Sequence, residues 1–266
     1  MILRSSVSAP AYFIGYCWGG AGSRWLARLL NSHRDILCLH SPQLPRFDES
    51  SSEDELEVIR HFFDAGRHGH PVIGFTHGIS LDWKDEIEAE FRAWLRCFVI
   101  VRHPIKRIRS VVALCRRHQA ELGENWEQQT VAAWQPIAEE FVETGAGAVP
   151  TDFRFLSHLY ACKMVTAIRE ELKSNYPIFR IEDLGAEVSE VRRLLGHISA
   201  ELEPMPEETL AYMQSLTVGS HAGSAKSATE IWHSWAEDFK DAFRRMVPNE
   251  ILSEYQRLGY VFPELD

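Results

Sequence analysis

The feature that most constrains the fold is a glycine-rich turn between an apolar run and an amphipathic segment, AYFIGYCWGGAGSRWLARLLNSH at residues 11–33. The apolar run predicts a short buried strand, and the leucines that follow at helical spacing predict a helix. Because Gly19, Gly20 and Gly22 carry no Cβ, the backbone is free to turn tightly and aim several N–H groups at one anion. Ser23 adds a hydroxyl at the start of the helix. The layout predicts a phosphate cradle; a plain strand-to-helix turn in an α/β protein is the alternative.

This cradle differs from the loop of enzymes that bind nucleoside triphosphates, G-x-x-x-x-G-K-[ST]. No lysine follows any of the glycines, whereas in that loop a lysine reaches the β- and γ-phosphates. A P-loop kinase or NTPase is therefore the less favoured interpretation, and an anion other than ATP is expected.

A second motif, FVIVRHPIKRIRS at residues 98–110, has the same strand-to-helix layout. Its apolar run predicts a fully buried strand, with Arg102 at the exit and Pro104 at the first position of a helix. Ser110 lies two turns along that helix. An arginine at a strand end and a hydroxyl on the next helix are suited to holding one phosphate where open α/β sheets bind ligands. The alternative is a solvated basic face formed by Arg102, Lys106, Arg107 and Arg109.

The two motifs together resemble those of the sulfotransferases that use 3′-phosphoadenosine 5′-phosphosulfate (PAPS). In that family the loop [KR]-[ST]-G-T-T-W-L holds the 5′-phosphosulfate, and R-x-P-x(5)-S holds the 3′-phosphate. Arg102, Pro104 and Ser110 match every defined position of the second pattern. The resemblance thus implies that Arg102 and Ser110 hold the 3′-phosphate of PAPS, the sulfuryl donor.

The first family pattern lies on residues 20–26, where a glycine, a serine in place of threonine, a tryptophan and a leucine agree. Gly20 replaces the basic residue, which in the family binds the leaving phosphate and the bridging oxygen. Its absence predicts weakened catalysis rather than loss of donor binding. Arg24, which replaces the second threonine, is predicted to supply the missing charge, and a solvated helix residue is the alternative.

The resemblance implies a role for each residue of this loop. The 5′-phosphosulfate is expected to accept hydrogen bonds from the hydroxyl of Ser23 and from the backbone N–H groups of Gly20, Ala21, Gly22, Ser23 and Arg24. Trp25 is predicted to contact the adenine, although core packing alone also favours a tryptophan at this helix turn.

A candidate general base follows a third apolar run, PVIGFT at residues 71–76, which predicts a strand with His77 at its carboxyl end. Thr76-His77 matches a pair found in many cytosolic family members, in which the histidine removes the proton of the acceptor hydroxyl. A structural histidine is the alternative. Some family branches use an acid instead; the nearby carboxylates, which also suit a helix N-terminus, are Asp82, Asp85, Glu86 and Glu88.

The stretch SHAGSAKSATEIWHSW at residues 220–235 corresponds loosely to a family loop, R-K-G-x-x-G-x-W, that closes over the 3′-phosphate. Lys226 is the candidate donor contact that this predicts, with Trp232 at the end of the loop. Gly223 and Ser224 are further candidates.

Composition narrows the class of protein. A formal charge of −10 over 266 residues argues against nonspecific nucleic-acid binding. The five cysteines show no metal-ligand spacing and predict reduced, mostly buried thiols. The chain shows neither a signal peptide nor a membrane span, so a cytoplasmic location is expected. The motifs call for no metal ion.

The predicted fold is a single α/β domain over residues 1–266, three-layered and P-loop-like, with a largely parallel sheet of about four or five strands. Residues 41–57, rich in serine, proline and acid, predict a solvated loop; a substrate-facing loop, which the family resemblance implies, is the alternative. The pattern of residues 56–63 predicts a helix that ends near Gly66. Helices are predicted over 124–143, 152–173 and most of 235–260. The function expected is sulfuryl transfer from PAPS to a hydroxyl or amine acceptor, with a nucleotide-binding pseudoenzyme as the alternative.

Overall fold

The computed structural model describes most of the chain, which forms two compact units. The described residues are 11–17, 19–40, 52–66, 70–76, 84–145, 150–215 and 226–265. The sheet unit draws on 1–17, 22–101 and 175–218, and the helical unit on 18–21, 102–174 and 219–266. Because the chain passes between the units several times, neither is a continuous piece of sequence. A single domain stays a prediction.

The strands and helices are numbered in chain order. The strands are β1 Ala11–Tyr16, β2 Ile36–Leu39, β3 Val72–Thr76, β4 Leu95–Val101 and β5 Ile178–Arg180. The helices are α1 Ser23–Asn31, α2 Ser52–Gly66, α3 Lys84–Phe91, α4 Pro104–Glu143, α5 Phe153–Thr166, α6 Ile168–Lys173, α7 Ile181–Ala186, α8 Val188–Ile198, α9 Glu207–Ser215, α10 Ala228–His233, α11 Glu237–Met246 and α12 Asn249–Arg257, and a 3-10 turn covers Pro263–Leu265. The sheet unit holds the strands with α1 to α3 and α7 to α9, and the remaining helices form the helical unit.

The sheet has five strands in the order β2-β3-β1-β4-β5, and every neighbouring pair is parallel. Helices flank it, which is consistent with a three-layer α/β/α arrangement. The predicted α/β class with a parallel central sheet is confirmed. Strand β1 is the middle strand, and its carboxyl end leads into the glycine-rich turn.

The core of the sheet unit follows from alternation along β1. Tyr12 stacks on Phe63 of α2, with ring centroids 4.3 Å apart, and it also meets the edge of Phe91 of α3. Phe13 points to the opposite face and stacks on Phe98 of β4. Both faces of the strand are therefore buried, which explains why its sequence is apolar at every position rather than at alternate ones.

Helix α2 begins inside the stretch that was expected to be a loop. Residues 52–57 are helical, while residues 41–51 lie outside the described part. The helix is favoured because Ile59 and Phe63, four residues apart, are both buried. Tertiary burial of this apolar stripe outweighs the polar composition of its first turn.

The helical unit differs from prediction in where its helices end. Helix α4 runs from the second motif through the predicted helix at 124–143, interrupted by Gly123 in a non-helical conformation. The predicted helix at 152–173 ends at Thr166 and restarts as α6. Past residue 235 the chain forms α11 and α12, separated at Val247 and Pro248 because proline cannot continue the first of them.

All five cysteines are free and buried, so the predicted burial of most of the thiols is confirmed. Within the described ranges, no helix has the length and apolar character needed to cross a membrane.

Two buried histidines of the helical unit make its stability depend on pH. Burial lowers the pKa of His158 to about 4, although a hydrogen bond between Nε2 and the Phe239 carbonyl oxygen, 2.9 Å long, favours the charged form. Burial likewise lowers the pKa of His103 to about 4. An unfolded histidine takes up its proton near pH 6.5, so between pH 6.5 and 4 the unfolded state binds more protons. The free energy of unfolding therefore falls as the pH drops through this window.

We expect the variant His158→Gln to lose less stability on acidification than the unmutated protein. A shift of this size corresponds to about 3 kcal/mol per histidine, and glutamine retains a donor for the Phe239 carbonyl. Urea unfolding at pH 7, 5.5 and 4.5 measures the difference. His233→Gln is the matched control, because His233 is exposed in the same unit. Parallel pH curves for the unmutated protein and His158→Gln would contradict the assignment.

Candidate functional site

The turn after β1 lies at the position where open α/β sheets bind ligands. Strand β1 pairs with β3 on one side and β4 on the other, so successive connections leave to opposite sides of it. Ligands of such sheets bind beyond the carboxyl ends of the strands at this switch point. Gly22 is the N-cap of α1 and has the left-handed conformation, with φ 95°. No described side chain accepts a hydrogen bond at this cap, and the first turn of α1 contains no acidic residue. The start of α1 is therefore suited to an anion.

Ser23 is fixed by contacts from two neighbouring strand ends of the sheet unit. Its side chain is buried, and Oγ lies 3.0 Å from Nε2 of His40, which follows β2. Thr76, the last residue of β3, donates a hydrogen bond from Oγ1 to the Ser23 carbonyl at 3.1 Å. Because a hydroxyl has a single proton, Ser23 donates to an anion only when Nε2 of His40 carries the hydrogen of this bond.

His40 is a site residue that sequence reasoning missed. It directly follows the last residue of β2, at the same edge of the parallel sheet as Thr76. The available signal was a histidine at the end of a short apolar run, ILCL at residues 36–39, which resembles the signal that selected His77. His77 itself lies outside the described residues, and the general-base assignment stays a prediction.

Arg24 and Trp25 are placed in opposite environments. Arg24 is exposed on the first turn of α1 and forms no ion pair with any described residue. Trp25 is buried, and its indole Nε1 donates to the Met213 carbonyl oxygen at 3.2 Å. This is the placement of a core residue, and the adenine contact stays a prediction.

Gly20 and Ala21 belong to the helical unit, where Arg102 meets them. Arg102 is buried, and its Nη1 donates to the Gly20 carbonyl oxygen at 2.8 Å. Ala21 is fully buried. The structure thus brings the two sequence motifs into direct hydrogen-bond contact. The alternative of a solvated basic face is wrong for Arg102 and for Arg107, both of which are buried.

Gly20 has no room for a side chain. Its φ is +82°, and a Cβ built there would lie 2.8 Å from Cγ2 of Val111 and 2.9 Å from the Arg107 carbonyl oxygen. The backbone conformation and close contacts at Gly20 leave no room for the basic side chain of the family pattern, so restoring it would require the turn to change shape. Positive charge at the turn comes instead from Arg102 and from Arg107, whose Nε donates to the Gly19 carbonyl oxygen at 3.2 Å.

The remaining predicted site residues lie along the helical unit. Ser110 is half-buried on α4, and Lys226 is exposed just before α10. Trp232 lies within α10 rather than at the end of a loop and is buried against Trp235. Two further candidates lie outside the described residues: Gly223 and Ser224.

Among the residues that the structure describes, no group of three or more histidine, cysteine or acidic side chains is arranged to hold a metal ion.

We expect Gly20→Ala to destabilise the protein more than a glycine replacement in open space does. The methyl group would meet backbone and side-chain atoms, and overpacking of this kind costs about 1 to 3 kcal/mol beyond the cost of the positive φ. Gly145→Ala is the matched control, because Gly145 has φ +105° with nothing within 4 Å of a built Cβ. Urea unfolding of both variants measures the difference, and equal losses would show that Gly20 has room to relax.

In comparisons with known proteins, no family model matches the chain and no curated protein matches it significantly.

Proposed function

We propose that this chain is a sulfotransferase that moves the sulfuryl group of PAPS to a hydroxyl or amine acceptor. The observation that carries the proposal is the hydrogen bond from Arg102 to the Gly20 carbonyl, which spans 82 residues of sequence. It joins the two stretches whose patterns separately resemble the phosphate-binding motifs of the PAPS family.

The donor-binding roles follow the chemistry of each residue. The N–H groups of the turn and the Ser23 hydroxyl hold the 5′-phosphosulfate, since α1 starts with no acid and no capping side chain among the described residues. Arg102 and Ser110 hold the 3′-phosphate. A guanidinium offers a planar fork of donors that matches a phosphate, and the burial of Arg102 leaves its charge little screened by solvent.

In the proposed transfer, the bond from the acceptor oxygen or nitrogen to sulfur forms while the bond from sulfur to the bridging phosphate oxygen breaks. The bisphosphate leaves with the electron pair, and the acceptor proton passes to a base, the role that the resemblance gives to His77. Positioning and positive charge supply most of the catalysis, as in phosphoryl transfer. Arg24 is the proposed source of charge for the leaving group.

Gly20 has no room for a side chain, and this observation favours a second candidate function. In that case the protein binds the nucleotide but does not transfer sulfate. A family member with a lysine or arginine there places a cation against the bridging oxygen. Here the φ of Gly20 and its contacts with Val111 and Arg107 exclude one. The two candidates share donor binding and differ only in turnover.

We expect adenosine 3′,5′-bisphosphate to bind about 10-fold to 150-fold more tightly than adenosine 5′-monophosphate, because a charge-assisted hydrogen bond contributes about 1.5 to 3 kcal/mol. Arg102→Ala and Ser110→Ala should each bring this ratio toward one. Calorimetric titration measures the affinities. Arg116→Ala is the matched control, since Arg116 is exposed on the same helix. A ratio near one in the unmutated protein, or tighter binding of ATP, would overturn the proposal.

We expect Arg24→Ala to lower the rate of sulfuryl transfer from labelled PAPS about 10-fold or more while changing bisphosphate affinity by less. Its charge would act on the leaving group, where negative charge develops only in the transition state. Transfer is measured in single turnover against a panel of sugar, sterol, phenol and peptide hydroxyls. Arg28→Ala, an exposed arginine later on the same helix, is the control. Bisphosphate binding with no transfer to any acceptor would establish the second candidate function.

A further inference from the structure

Arg107 of α4 is buried with no exposed surface and holds groups from three other segments of the helical unit. Its Nε donates to the Gly19 carbonyl oxygen at 3.2 Å. Nη1 donates to the Tyr255 hydroxyl of α12 at 3.3 Å, and Nη2 to Oε1 of Glu171 of α6 at 3.2 Å. Glu171 is 1% exposed, so the ion pair is fully enclosed. One guanidinium thus links the turn after β1 to two helices.

Arg107 in α4 and Arg102, two residues before α4, set the direction of two successive peptide groups of the turn. A peptide unit is planar, and in the trans form its N–H points opposite to its carbonyl. Arg107 fixes the Gly19 carbonyl and hence the Gly20 N–H. Arg102 fixes the Gly20 carbonyl at 2.8 Å and hence the Ala21 N–H. Both N–H groups are thereby aimed away from the arginines before any ligand binds.

Fold stability alone gives a weak reason for this buried ion pair. Two charges taken out of water lose hydration energy that their attraction only partly returns, and apolar replacements of similar volume are often neutral or stabilising. Arg107 differs from an ordinary buried pair because its third contact is the turn of the first motif. Its burial is explained by what it holds in place.

We propose that Arg107 is a positioning residue, held by Glu171, that orients the N–H groups of the turn toward the anion they bind. The identity of that anion as the 5′-phosphate of the donor rests on the proposed function. The orientation of the turn does not. Arg107 never touches the ligand, and its effect is confined to the phosphate that the turn holds.

The orientation is tested without ligand by amide nitrogen relaxation at Gly20 and Ala21. In the unmutated protein the order parameters should be those of rigid backbone, about 0.85, and in Arg107→Met they should fall below about 0.6. Lys163→Met is the matched control, since Lys163 forms an exposed ion pair with Glu140 in the same unit. Unchanged order parameters in Arg107→Met would overturn the proposal, whether or not a nucleotide binds.

The consequence for binding is tested with adenosine 5′-monophosphate and adenosine 3′-monophosphate. Arg107→Met should lose 10-fold or more in affinity for the first and less than twofold for the second, because only the 5′-phosphate lies against the turn. Ser110→Ala should show the reverse pattern. Equal loss for both nucleotides would indicate a general structural role and overturn the positioning role.

Two milder variants keep the test decisive if Arg107→Met fails to fold. Arg107→Lys retains the charge but lacks the fork that reaches Gly19 and Glu171 together. Glu171→Gln retains a hydrogen-bond acceptor without the charge. If the unmutated protein binds these nucleotides, both variants should show the same preferential loss of 5′-monophosphate affinity, about threefold to 10-fold. Absence of this loss in both would then overturn the proposal. If the turn loosens in these variants while the unmutated protein binds no adenine nucleotide, the positioning inference stands and the sulfotransferase proposal fails.

Discussion

The hydrogen bond from Arg102 to the Gly20 carbonyl is the contact on which the candidate site depends. A glycine-rich turn by itself has many conformations, since glycine costs little steric energy in any of them. Here the carbonyls of Gly19 and Gly20 are each held by a buried guanidinium. These hydrogen bonds offset the entropy cost of ordering the turn when the chain folds. The turn is therefore preorganised, and a ligand that binds it does not have to supply that cost.

The sequence predicts those parts of the fold that depend on local patterns. Apolar runs that end in polar residues identify β1, β3 and β4, and the parallel sheet follows from the alternation of strands and helices. Helix boundaries depend on more distant contacts. The continuation of α4 past the non-helical Gly123 is an example, because the local sequence predicts a break there and the observed helix resumes directly after it.

The candidate site divides in the same way. Arg102 was predicted because its place at a strand exit is itself a local pattern. In the sequence, Arg107 has the pattern of an ordinary basic residue on an amphipathic helix. Its burial as a cation depends on an ion pair with Glu171, 64 residues later in the chain. His40 is a similar case, because its role follows from the side chain of Ser23, 17 residues earlier. Motifs identify residues that touch ligands, whereas the residues that hold those in place are found only through tertiary contacts.

In the proposed function, the lack of room for a side chain at Gly20 affects catalysis more than donor binding. Guanidiniums that bond to the carbonyls of a peptide polarise its N–H groups and make them stronger donors. Arg102 and Arg107 therefore favour a bound phosphate before and during transfer to nearly the same degree, and uniform stabilisation of this kind tightens binding without speeding the chemical step. Acceleration needs a charge that acts more strongly as the bisphosphate leaves. In the proposed function, Arg24 supplies this charge. It is exposed on the first turn of α1 and forms no ion pair with a described residue.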